Sequence, residues 1–179
     1  MKKTVLTFGS IAGAVMAVML AATAPFADQI GFDRMAVIGY TSMVLAFLMI
    51  YFGIRSYRDN VAGGHISFGK ALQVGLSITA IAAVCYVITW EILYFTVAHD
   101  FIDKYAAYMI EKARAAGQTE AAVQKLTQDM ADFKQMYQNP FINAALTFLE
   151  PLPVGIVMTL VSAAILRTKP GASAATQTA

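Results

Sequence analysis

Residues 71–90 read ALQVGLSITAIAAVCYVITW, twenty positions without a charge. A bilayer core of ~30 Å needs about 20 apolar residues in helical form. This stretch meets that length alone, and past Glu91 the apolar character continues to Ala98. Three other stretches behave in the same way. Thr4–Ala27 and Met35–Ile54 carry no charge, and Asn143–Leu166 is interrupted only by Glu150. Helix is the default because every backbone group in lipid must be satisfied within its own segment. Strands of a membrane barrel would be about half as long and would alternate in polarity. The expected fold is all-α: an integral membrane bundle of four transmembrane helices, spans near 4–27, 35–54, 71–98 and 143–166.

Composition agrees. The chain has 179 residues, 58% apolar and 13% charged, with a mean hydropathy of +0.60. Soluble domains carry about 25% charged residues, so the shift is toward lipid as the solvent. A single membrane domain over 1–169 is the natural count for this length, followed by a polar tail at 170–179 expected to be disordered. The net charge of +2 and the scattered lysines and arginines give no ground for a nucleic-acid partner. Cys85 is the only cysteine, which excludes a disulfide framework and a Cys/His zinc pattern. His65 and His99 are isolated, and no nucleophile has a positioned base. No enzyme activity, metal or cofactor is expected.

Lys2-Lys3, the apolar run and Ala22-Thr23-Ala24 also fit a secretory signal peptide. The uncharged run is 24 residues, longer than the usual hydrophobic region of about 7–15, and Pro25 follows the candidate cleavage site. Retention is favoured. Gly9, Gly13, Ala17 and Ala21 recur every four residues, a small-residue stripe that lets a neighbouring helix approach. Orientation follows from lysine and arginine. With the N-terminus inside, the inner ends hold Lys2, Lys3, Arg55, Arg58, Lys70, Arg167 and Lys169 against Asp59 alone. Both termini are therefore expected in the cytoplasm, and the second span starts outside whether or not the first span is retained.

The stretch 100–139 is the one soluble-looking part. Asp100 and Thr119 can each cap a helix, and Gly117 is suited to ending one. Val123, Leu126, Met130, Phe133 and Tyr137 repeat by 3, 4, 3 and 4, a narrow seam for one partner helix. Asn139-Pro140 ends the second helix. The expectation is an extracytoplasmic helical hairpin between spans three and four, serving as a solvated spacer or as a docking or sensing element.

Glu91 and Glu150 are the two ionisable residues inside spans, where such groups are costly. Glu91 lies seven residues before Ala98 and Glu150 seven after Asn143. At 1.5 Å per residue both fall ~10 Å below the same outer boundary, so the carboxylates can face each other. Thr147 and Tyr94 lie nearby in sequence. Pro151 and Pro153 lack the N–H groups that would bind the carbonyls of Thr147 and Leu149. Together these make a candidate proton or cation site, or a hydrogen-bonded pair that holds the bundle together. At the inner end, Arg55, Tyr57, Arg58 and Lys70 look like a cytoplasmic interfacial anchor. Gly63 to Lys70 reads as a tight turn, with no phosphate-loop spacing.

These residues carry a resemblance. Gly53 with Tyr57-Arg58-Asp59, then Gly64 to Ala71, then Trp90-Glu91 with Tyr94 resemble the pattern of the DUF4199 family of uncharacterised bacterial membrane proteins. So do Tyr137, Asn139-Pro140, Thr147-Phe148, Glu150, Pro153 and Gly155. The resemblance spans roughly Met35 to Leu166 and implies a four-span protein of the bacterial inner membrane, with no activity assigned. Two functions compete. One is a non-enzymatic scaffold, partner-binding or sensing protein that uses the hairpin. The other is a small carrier or channel component built on Glu91 and Glu150. Four spans without an internal repeat are few for a monomeric transporter, so transport would need a homo-oligomer or a membrane-protein partner beside the lipid bilayer.

Overall fold

The computed structural model describes residues 1–168, which form helices and turns with no strand among them. The tail at 170–179 lies outside the described residues. Helix α1 (Lys2–Thr23) passes through one 3₁₀ turn (Ala24–Phe26) into α2 (Ala27–Ile30). The 3₁₀ turn carries Pro25 near its start, where a missing N–H is tolerated. Then come α3 (Phe32–Asn60), α4 (Phe68–Thr96), α5 (Phe101–Ala115), α6 (Glu120–Tyr137), α7 (Pro140–Leu149) and α8 (Leu152–Leu166). Four rods, Lys2–Ile30, Phe32–Asn60, Phe68–Thr96 and Pro140–Leu166, are each long and apolar enough to cross a membrane.

Each rod shows an apolar outer face. Leu6, Val18, Val37, Leu45, Ile88, Ile92, Val157 and Ile165 are all more than half exposed. In water that belt would be an aggregation surface. In hydrocarbon it is the side that meets the solvent.

Helix α4 is the hub, packing on α1, α3, α7 and α8. Lipid tails are as apolar as leucine, so close packing rather than water exclusion must hold the rods together. The interfaces show how. A Cβ at Gly75 of α4 would stand 2.5 Å from Thr159 Cγ2 of α8. Reciprocally, one at Gly155 of α8 would collide with Thr79 of α4. The two Gly-x-x-x-Thr stretches interlock, each threonine filling the notch over the other helix's glycine. Gly9 and Gly13 of α1 meet Ile81 and Cys85 of α4 in the same manner. Of the four-residue stripe on α1, Ala17 is half-buried and Ala21 exposed, so only its first half is a helix contact.

The connection between spans three and four is a helical hairpin. Thr119 Oγ1 accepts from Ala122 N at 3.3 Å and caps α6. Gly117, at φ 72°, takes the left-handed position that ends α5. Asn139 Oδ1 accepts from Phe141 N at 3.0 Å and caps α7. Asp100 does not cap with its side chain; its carboxylate pairs with Lys104 at 2.9 Å instead. The fourth rod breaks at Glu150-Pro151, between α7 and α8. At the far end of the bundle, Gly63 and Gly64 have positive φ. There Ile66 N donates to Thr168 Oγ1 and Thr168 N to Ile66 O, tying the turn to the end of α8.

Candidate functional site

Successive turns of α4 place Tyr86, Trp90 and Tyr94 on one face, because residues four apart stack along a helix. Phe133 and Tyr137 do the same on α6. The faces meet beneath the hairpin. Trp90 packs edge-on to Phe101, ring centroids 5.0 Å apart, and Tyr94 edge-on to Tyr137 at 5.3 Å. Ala24, Trp90, Tyr94, Ile102 and Tyr137 form a buried cluster separate from the main core.

A polar chain runs through this cluster. Trp90 Nε1 donates to Tyr137 Oη at 2.8 Å. Tyr137 Oη lies 3.4 Å from Thr147 Oγ1, which donates to Asn143 Oδ1 at 3.2 Å. Burial pushes the Tyr137 hydroxyl above the ordinary tyrosine range, so it serves as a neutral hydroxyl. Asn143 is fully buried, and its Nδ2 has no partner among the described residues.

Beside the chain lies a cavity of about 450 Å³. Its walls come from α1 (Met16, Met19, Leu20, Thr23), α3 (Phe32 to Met43), α4 (Tyr86, Trp90), the hairpin (Phe101, Ile102, Tyr105, Phe133, Tyr137) and Glu150. Among the described residues Glu150 is the only charged residue of the wall. Tyr86 Oη donates to its Oε2 at 3.1 Å. Glu150 is exposed by surface area and contributes to the cavity wall.

The candidate site residues thus separate. Glu150 lines the cavity; Thr147 and Tyr94 belong to the adjoining buried cluster. Glu91 is half-buried, lies outside the cavity wall and makes no hydrogen bond with Glu150; its Oε1 is enclosed without a partner among the described residues. The reason is register as well as azimuth. Gly75 faces Thr159 and Thr79 faces Gly155, and Glu150 meets Tyr86, five residues or ~7.5 Å before Glu91 along α4, so the two acids do not share a level. Glu91 is also turned about 100° from Trp90 around α4. The partner that Glu150 does have, Tyr86, is one turn before Trp90, a position that helical spacing of aromatics could have flagged. Asn143 is another residue missed, because it stood at a span boundary and read as an end rather than a buried group.

At the opposite end, Arg55 and Arg58 both pair with Asp59, at 3.6 and 2.7 Å. Lys70 Nζ sits 5.9 Å from the Tyr57 ring centroid. Tyr57 is 9% exposed and packs in the main core, so its ring is a packing group rather than an exposed anchor. Among the described residues no cluster of three or more His, Cys, Asp or Glu could hold a metal.

The hairpin is tethered by charge to α2 and the first turn of α3. Lys104 pairs with Asp28 at 2.7 Å and Lys112 with Asp33 at 2.8 Å. Lys134 pairs with Asp103 across the hairpin itself. Hydrogen bonds to Asp28 and Asp100 hold Lys104 above its ordinary range; those to Asp33 and Tyr108 do the same for Lys112. A lysine raised in the folded state stabilises below its unfolded pKa and loses that contribution as pH climbs through the folded value. The tether therefore holds at neutral pH and fails at both extremes: in strong alkali as the lysines lose their protons, and in acid as the aspartates gain them, Asp33 below the usual carboxylate range because it accepts hydrogen bonds from Lys112 and Tyr108. Exposed pairs are individually weak and screened by salt. Replacing Lys104 and Lys112 together by alanine should speed amide exchange in 101–116 while leaving the spans unchanged, and molar salt should mimic it. Unchanged exchange would show that aromatic packing alone holds the hairpin.

Four membrane-length rods with apolar outer faces, and a cavity between them, define a multi-pass integral membrane protein. The chain belongs to the DUF4199 family: the model of that family, described as a protein of unknown function, matches residues 7–168. The match takes in most of the first span, which the motif resemblance did not. No curated protein and no solved structure matches the chain.

Proposed function

We propose that this chain is a non-enzymatic sensing or partner-binding protein of the bacterial inner membrane, with both termini cytoplasmic and the hairpin outside. Its cavity takes a small amphipathic ligand, and the hairpin over it reports occupancy to a partner. One observation carries this: the cavity of about 450 Å³ is walled by rings, thioethers and hydroxyls around a single carboxylate. Ligand sites are mostly apolar spaces of about 300–1,000 Å³ with a few placed polar groups. The lysine and arginine bias supports the orientation. A second reading, a small oligomeric carrier component, draws on Glu150 alone, since Glu91 stands outside the wall.

Trp90 is the only tryptophan, and it lines the cavity while only 6% exposed. Its fluorescence is therefore an occupancy gauge. Gly39 also lines the cavity, and a Cβ added there meets no atom within 4 Å, so Gly39→Phe fills the space without a clash at its first atom. A brominated short-chain alcohol should quench Trp90 saturably in the wild-type protein in nanodiscs and weakly in Gly39→Phe. Equal, unsaturable quenching in both would sink the proposal.

A further inference from the structure

We infer that the cavity is built for a protonated amphipathic amine, the ammonium held by Glu150 and the apolar body by the aromatic and methionine walls. This rests on the ligand-binding role proposed above and names its chemistry.

Charge comes first. Glu150 is the only charged residue of the wall, and no lysine, arginine or histidine forms an ion pair with it among the described residues. The hairpin lysines Lys104, Lys112 and Lys134 are already committed to Asp28 and Asp100, Asp33, and Asp103. A carboxylate inside a span is costly unless it is paired, and among the described residues the chain supplies no counter-charge. The hydrogen bond from Tyr86 occupies one acceptor position. An ionised carboxylate has about four, so N–H donors of a ligand have places to go.

The rest of the wall decides between cations. A hard inorganic cation takes about six to eight oxygen ligands. The cavity offers one carboxylate and scattered hydroxyls set among Met16, Met19, Met35 and Met43. Such a wall would leave a bare metal ion short of donors. It suits an ammonium that carries its own apolar body. Tyr40, Tyr86, Trp90 and Tyr137 put electron-rich rings in the same wall as the carboxylate, the combination that recognises organic cations. Methionine side chains repack around ligands of different shape, so the site should accept a range of alkyl or aryl amines rather than one.

The test uses full-length protein in nanodiscs, with Trp90 quenching by the brominated alcohol as the readout. Octylammonium, octanol and octyl sulfate share a chain and differ in headgroup charge. Octylammonium should displace the quencher at concentrations at least about tenfold lower than octanol, the scale expected of a charge-assisted pair with aromatic support; octyl sulfate should be weakest. Glu150→Gln keeps an oxygen for Tyr86 and loses the charge. It should erase the octylammonium advantage and leave octanol unchanged. Equal competition by octylammonium and octanol, or an advantage that survives in Glu150→Gln, overturns the amine assignment. Saturable octanol binding blocked by Gly39→Phe would leave the ligand-binding role standing. Absence of saturable quenching by any probe removes both.

Discussion

Gly155→Ala is expected to destabilise the bundle by about 1–3 kcal/mol, the usual cost of forcing extra atoms into a packed interior. One methyl group is enough because it has nowhere to go. The new Cβ would collide with Thr79 Cγ2, with Thr79 Oγ1 at 2.9 Å and Thr79 Cβ at 3.2 Å. Thr79 cannot swing away cheaply. It is β-branched and stiff at χ1 in a helix, it is 1% exposed, and its Oγ1 donates to Gly75 O at 3.1 Å. The rods must separate instead, and in a bilayer no hydrophobic force draws them back. Thermal unfolding of the detergent-solubilised protein should show a midpoint several degrees lower, at about 2–4 °C per kcal/mol for a chain of this size.

Specificity makes the experiment decisive. Thr79→Ala removes the two closest atoms, so Gly155→Ala should cost much less in that background. Thr159→Ala should rescue Gly75→Ala but not Gly155→Ala, since Thr159 faces Gly75. Rescue across the wrong pair, or full additivity in both, would show that these contacts do not set the α4–α8 distance.

How much of this was legible beforehand depended on the kind of signal. The four rods were, because a charge-free run of helical length has few other fates. The hairpin and its stops at Gly117 and Asn139-Pro140 were legible too, since caps and left-handed turns are local chemistry. The interlock of Gly75 and Thr79 with Gly155 and Thr159 was not, because each stretch becomes informative only once its partner is known. The glutamates show the same limit at the site. Counting 1.5 Å per residue from each span's outer end put Glu91 and Glu150 at one level, but the register that sets Thr79 against Gly155 and Tyr86 against Glu150 places Glu91 at least five residues further along α4. Rotation about the rod and the break at Pro151 then decide which acid meets the cavity. Tyr57 illustrates the reverse case: an aromatic beside two arginines has the composition of an interfacial anchor, but tertiary packing claims the ring for the core.

Tyr137→Phe should loosen the hairpin more than the loss of one oxygen suggests. Its hydroxyl accepts from Trp90 Nε1 at 2.8 Å and lies 3.4 Å from Thr147 Oγ1, so one atom joins α6 to α4 and α7. The phenylalanine ring keeps the packing against Phe133 and Tyr94. What is lost is the acceptor, and the indole N–H of Trp90, 6% exposed, is left without one. An orphaned buried donor costs about 1–3 kcal/mol. Because that penalty belongs to Trp90, it should fade when the donor is removed as well: Tyr137→Phe in a Trp90→Phe background should cost little. A coupling of about 0.5–3 kcal/mol is the range for residues in one network. The single variant should also show faster amide exchange along α6 and altered Trp90 emission, since the only indole of the chain loses its partner. Additive single and double variants, with unchanged exchange in α6, would mean that ring packing and the lysine tether hold the hairpin without help from the polar chain. If the coupling appears, the same hydroxyl that walls the cavity also fastens its roof, which gives an occupant of the cavity a direct mechanical route to the hairpin.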